Sequence, residues 1–147
     1  MYQRILVATD DSKLSRKAVK AALGLAASVQ ADVVALHVVP RYPVSYFEGA
    51  VVMSPEEVGK VERRWAEKAQ GMVDAVAREG EKAGVKVKPA IAKSDAVADA
   101  IVAAAKKHKC DLIVMASHGH RGLKRLLLGS ETQQVLTHSS VPVLVLR

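Results

Sequence analysis

Asp111–Thr132, DLIVMASHGHRGLKRLLLGSET, is the stretch from which the fold is read. Its first five residues, Asp111–Met115, form an apolar run with the length of a buried strand. A loop follows that holds Gly119, Gly122 and Gly129, and it ends in Ser130. Ser130 stands before a helix-like run and has Gln133 three residues on, which is the reciprocal capping-box spacing. A glycine-lined turn lets backbone N–H groups approach a ligand closely. A helix start adds unpaired N–H groups and the positive end of a macrodipole. Together they can hold a phosphate. The same residues also suffice to stop one turn and cap the next helix, and spacing alone does not separate the two readings.

Outward from this stretch the chain alternates between strand and helix patterns. Tyr2–Thr9 holds a buried-strand run, and Asp10, Asp11 and Ser12 then cap a helix reaching about Ser28. Leu14, Ala18, Ala21, Ala22, Leu25 and Val29 give that helix its apolar face. Asp32–Val39 is a second strand, closed by Pro40. Arg41–Met53 has no period and reads as a surface loop. Ser54, Pro55 and Glu57 open a helix to about Ala83, with Gly59, Gly71 and Gly80 as weak points and Gly84 as its stop. Val85–Ala92 carries Pro89 and reads as a strand near a sheet edge. Ser94 and Asp95 cap a helix to Lys109. A helix over Glu131–Thr137 and a last strand over Val141–Leu146 complete the order.

This pattern predicts an α/β fold, a doubly wound five-stranded parallel sheet with helices on both faces, Rossmann-like, with strand order 3-2-1-4-5. No linker or internal repeat divides it, so residues 1–147 are expected to form a single domain. Ligands of such sheets sit beyond the strand carboxyl ends, where the winding reverses. With the reversal between the first and fourth strands, Ala8-Thr9-Asp10 and Met115-Ala116-Ser117-His118 line the crevice.

Composition excludes several classes of function. Half of the residues are apolar, so a packed core is expected. No apolar run approaches the roughly 20 residues that span a bilayer. The N-terminus lacks a signal pattern, and the single Cys110 fits a reducing cytosol, so a cytoplasmic location is expected. The net charge of +7 admits anionic partners. Aromatic residues for stacking on bases amount to only 3%, which argues against nucleic acid. Most lysines read as solvated helix faces; His118–Arg125 is the exception, with positive charge inside the glycine loop.

The first strand exit, ATDDSK, has no glycine and so lacks a dinucleotide fingerprint; a P-loop motif is also missing. Asp10 would repel a phosphate but suits the hydroxyls or amine of a nucleoside. The glycine loop would take the phosphates. Asp10, Ser117 and His118 make a poor start for a Ser-His-Asp triad, because adjacent Ser-His in a loop does not provide the geometry. The five histidines show no metal-ligand spacing. His37 reads as a hydrogen-bonded core residue.

The chain resembles the universal stress proteins of the small single-domain kind. The carriers are the LVATDDS opening, LHVV, IVMASHG, LLGSETQQVL and the terminal VPVLVLR, spread over the full length. The ATP-binding branch of that family carries Gly-x2-Gly-x9-Gly-Ser/Thr. Gly119, Gly129 and Ser130 match its last three elements, and Ala116 replaces the first glycine. A methyl group there is a small obstruction, so the resemblance implies retained binding with room for weaker affinity. It implies that Asp10 and Val38 meet the adenosine and Met115 and Ala116 its base and ribose. His118, Gly119, Gly129, Ser130 and Glu131 would face the phosphates, with Ala8 and Thr9 at the same crevice.

The ligand implied is ATP, with AMP or ADP as alternatives and Mg as a companion ion. A homodimer through the apolar last strand is implied as well. The function expected is a nucleotide-binding regulatory module of the stress response. The alternatives are an interaction scaffold of the same fold without nucleotide, and a slow ATP hydrolase using His118, His120 or Glu131.

Overall fold

The computed structural model describes residues 1–41, 54–120 and 127–147. The loop expected over Arg41–Met53 lies outside them except for Arg41, and so does Gly122 with most of the cationic end of the glycine loop. Nine elements alternate in the order β1 (Arg4–Ala8), α1 (Lys13–Val29), β2 (Asp32–Val39), α2 (Pro55–Lys82), β3 (Val87–Lys93), α3 (Val97–Lys107), β4 (Leu112–Ala116), α4 (Ser130–His138) and β5 (Val143–Leu146). The strands form one five-stranded sheet in the order β3-β2-β1-β4-β5. Every pairing is parallel, as the expected doubly wound fold requires.

The period of two in the strands divides the core between the two faces. Ile5, Val7, Val33, Ala35, Leu112 and Val114 pack under α1 and α2. Leu6, Val34, Leu36, Ile113 and Met115 pack under α3 and α4. Strands covered on both faces need apolar residues at successive positions, which is why β1, β2 and β4 read as continuous runs. Ile5, Leu6 and Val7 are all fully buried. Each such side chain contributes about 1.5–3 kcal/mol relative to exposure.

Helix starts agree with the sequence at two sites and differ at two. Ser12 caps α1, accepting the Ser15 N–H at 3.2 Å. Ser54 and Glu57 form the reciprocal box at the start of α2. Helix α2 then runs unbroken through Gly59, Gly71 and Gly80. At Gly80 a side chain would collide with Val87, so this glycine lets α2 lie close on β3.

Ser94 and Asp95 do not cap α3. Its N-cap is Ala96, without a side-chain bond. Ser94 Oγ closes its own turn by accepting the Ala96 N–H, and Asp95 accepts the Arg41 N–H. Ser130 does not cap α4 either. The helix begins one residue earlier, with Gly129 at the N-cap and Ser130 already in the first turn. Gln133, expected to close the box, sends its side-chain amide to the Leu128 carbonyl. Strand β3 starts at Val87, two residues later than expected, and Pro89 lies on this edge strand beside Ala35.

Candidate functional site

The carboxyl ends of β1 and β4 lie side by side, and what leaves them meets again. Thr9 continues the ladder, donating its N–H to the Leu36 carbonyl at 2.9 Å. Its own carbonyl is bonded to His37 Nδ1 at 2.7 Å. His37 is thus hydrogen-bonded as expected, but half-buried at a strand end and not in the core. Thr9 Oγ1 lies 3.3 Å from the Ser15 hydroxyl and accepts the Asp11 N–H, which holds the first turn against α1.

Asp10 is the hinge between the two exits. One carboxylate oxygen accepts the Ser12 N–H at 2.9 Å, and the other accepts the His120 N–H at 3.2 Å across 110 residues of chain. The His120 ring returns the contact, with Nε2 2.9 Å from the Asp10 carbonyl. Partial burial pushes the Asp10 carboxyl pKa up. Hydrogen bonds from Ser12, then Ser15 and the His120 N–H, outweigh it and hold the group below the usual carboxylate value. Gly119 is packed so closely on this carboxylate that a Cβ would strike Asp10 Oδ2.

The second half of the site is built around Ser117. Gly129 donates its N–H to the Ser117 carbonyl at 2.7 Å. A Cβ on Gly129 would stand 3.1 Å from that same oxygen and 3.5 Å from His118 Cα. A side chain here would press on the strand end that the loop closes against. Thr132, buried in the first turn of α4, donates to the Ala116 and Ser117 carbonyls at 2.9 and 3.1 Å. The first intrahelical bond of α4 joins Gln133 N–H to the Gly129 carbonyl. The N–H groups of Ser130, Glu131 and Thr132 precede it, and no side chain among the described residues caps them. Ser130 Oγ donates to the Glu131 carboxylate at 3.1 Å.

All eleven residues singled out in the sequence thus lie at the carboxyl ends of β1, β2 and β4 or at the start of α4. Ala8 and Val38 are half-buried against the α3/α4 core, and Met115 is buried within it. Ala116 is 8% exposed. Strand alternation puts its methyl on the same side as Val114, facing α1, away from the α4 side.

A Ser-His-Asp relay does not form. His118 Nδ1 lies 3.1 Å from the Ser117 hydroxyl, but Asp10 is bonded to Ser12 and His120. Among the described residues no group of three His, Cys, Asp or Glu side chains can hold a metal. The positioning residues Thr132, Ser117 and His120 were not singled out for this role in the sequence. The available signal was a hydroxyl at a core-facing position of a helix first turn.

A sequence model described as the Universal stress protein family matches residues 1–147. Universal stress protein MJ0531 of Methanocaldococcus jannaschii is 35% identical over all of this chain and 83% of its own length. The solved structure of MJ0577, from the same organism, superposes with a TM-score of 0.83 at 32% identity, covering 99% of this chain and 96% of that one. A universal stress protein crystallised in complex with cAMP superposes with a TM-score of 0.69 at 26% identity, covering 99% and 97%.

Proposed function

The chain belongs to the universal stress protein family, and on that premise we propose that it binds a nucleoside phosphate between the β1 and β4 exits and acts as a regulatory module of the stress response. One observation carries the reading: Asp10 and the β4 loop meet directly across the sheet, beside an uncapped helix start. That is where a doubly wound sheet receives its ligand. The relative bound to cAMP supports a nucleotide as the class of ligand.

In this reading Ala8, Thr9, Asp10 and Val38 meet the nucleoside, and Met115 and Ala116 lie under the base and ribose. His118, Gly119, Gly129, Ser130 and Glu131 form the phosphate side. Because the Gly129 N–H is already bonded to Ser117, the phosphate would rest on the N–H groups of residues 130–132. Glu131 places a negative charge in this first turn. A Mg ion shared between Glu131 and the phosphates would offset it. ATP is the expected nucleotide, with ADP and AMP as alternatives.

A homodimer through β5 belongs to the same proposal. The strand leaves one edge of the sheet unpaired, and Leu144 on it is 41% exposed. An apolar edge of this kind is a template for pairing with a second chain. No helix among the described residues is long and apolar enough to cross a membrane.

The alternative is a scaffold of the same fold without nucleotide. The Asp10 contacts favour it, since both carboxylate oxygens already have protein donors. Mass spectrometry of small molecules released from protein purified without added nucleotide, followed by calorimetric titration with Mg-ATP, ADP and AMP, separates the two. Copurified nucleotide or saturable heat supports the first. No released nucleotide, no heat and no thermal upshift reject it in favour of the scaffold.

A further inference from the structure

The amino end of the sheet, opposite the site above, gathers basic side chains from three elements. Arg4 opens β1, Lys86 and Lys88 flank the start of β3, and Lys107 and His108 end α3. Arg4, Lys86, Lys88 and His108, with Asp32, Val33 and Val34 of β2, line a recess of about 150 Å³. That is the liquid volume of about five water molecules, enough for a phosphoryl group.

The recess is built in part. Arg4 Nη1 donates to the His108 carbonyl at 2.9 Å, which fixes the guanidinium beside the helix end. The Arg4 backbone N–H is held by Asp111 at 3.1 Å. Among the described residues none of its basic side chains is in an ion pair; the pairs present are Arg16–Asp11 and Lys93–Glu62, both elsewhere. Asp32 is the one acid of the lining. Burial, and then Lys88, Lys107 and Arg4, hold the His108 pKa below the usual imidazole value. The ring therefore feels an excess of positive charge.

Lysines on an edge strand also discourage strand addition, and cations at the end of α3 complement its dipole. Neither role needs Arg4, Lys86, Lys88 and His108 to share one concavity. From that convergence we propose a second anion site at the amino end of the sheet. It would take a terminal phosphoryl group, free as phosphate or pyrophosphate or carried by a small phosphorylated metabolite. Arg4 offers a planar donor fork suited to phosphate oxygens, and the two lysines add point charges. The proposal is independent of nucleotide binding at the other end.

The test is NMR of the histidine rings in the full chain, titrated with pyrophosphate and, separately, a sugar monophosphate at ionic strength matched with chloride. The His108 signals are expected to move saturably. The His108 titration midpoint should rise, because a bound anion favours the imidazolium. The exposed pair Lys86→Glu/Lys88→Glu should weaken this response by about tenfold or more. A response to both probes assigns the site to phosphoryl groups however carried, and a response to pyrophosphate alone assigns it to the inorganic ion. Movement confined to His118 and His120, or equal movement with chloride, overturns the site. So does a double variant that binds like the parent chain. Binding at the nucleotide cleft can succeed or fail without affecting any of these outcomes.

Discussion

Replacing Asp10 by Asn probes the joint between the two strand exits with almost no change of shape. In the parent chain the two carboxylate oxygens accept N–H groups from Ser12 and His120 at 2.9 and 3.2 Å. Asn keeps one acceptor and turns an NH2 group toward the other donor, so one charge-assisted bond is lost. Such bonds contribute about 1.5–3 kcal/mol each. The residue is only half-buried, so solvent screening reduces the figure, and the expected loss at neutral pH is about 1–2 kcal/mol. For a chain of this size that lowers Tm by about 2–8 °C.

The pH dependence gives the sharper signature. The Asp10 pKa is depressed in the folded chain. Its stabilisation is therefore fully present above the unfolded carboxyl pKa and is lost as pH falls through the folded value. Protonated Asp10 donates and accepts much as Asn does, so the gap between the two proteins should close in acid. Denaturant melts of both proteins, run from about pH 7 down to about pH 3, measure that gap. A gap under a few tenths of a kcal/mol at neutral pH, or one that stays constant into acid, refutes the account of Asp10 as the joint.

Gly129→Val should cost about 1–2 kcal/mol in denaturant melts, because its Cβ meets the Ser117 carbonyl and puts the 2.7 Å bond at risk. Any nucleotide affinity seen by calorimetry should fall with it, through displacement of the α4 start and not through direct filling of the phosphate space. Gly119→Ala should cost about as much in the same melts, since its Cβ displaces the Asp10 oxygen that accepts the His120 N–H; a variant as stable as the parent chain would contradict this. Cys110 is buried, and burial pushes its thiol up to about 11, so alkylation at neutral pH, followed by mass spectrometry, should track unfolding; rapid labelling of the native chain would count against it. Leu144→Glu should shift the chain toward monomer in analytical ultracentrifugation, and an unchanged sedimentation coefficient removes β5 from the dimer proposal.

The fold was legible because its signals are local and repeated. Runs such as Val33–Leu36 are apolar at successive positions, as a strand covered on both faces demands, and their short length and branched residues favour strand over helix. The helix starts were less legible, and the reason is specific. At Ser54 the cap, the proline and Glu57 are all within one turn, so sequence suffices. At α4 the start is set by the bond from Gly129 N–H to the Ser117 carbonyl, a contact twelve residues back across a loop. Glycine at an N-cap is acceptable, and the tertiary contact decides between it and Ser130. The same limit hides the amino-end recess. Arg4, the pair Lys86 and Lys88, and His108 sit in three separate segments, and no spacing in the sequence links them. The parallel register that sets Arg4 beside Asp32, and Val34 beside Lys88, brings them onto one rim. A parallel sheet makes all its strands begin at one end and finish at the other. The alignment that joins Asp10 to the β4 loop at the carboxyl end therefore also gathers the strand-opening cations at the amino end. A chain with this strand order thus carries two polar ends, and charge at the first residues of its strands belongs to a different site from charge at the last.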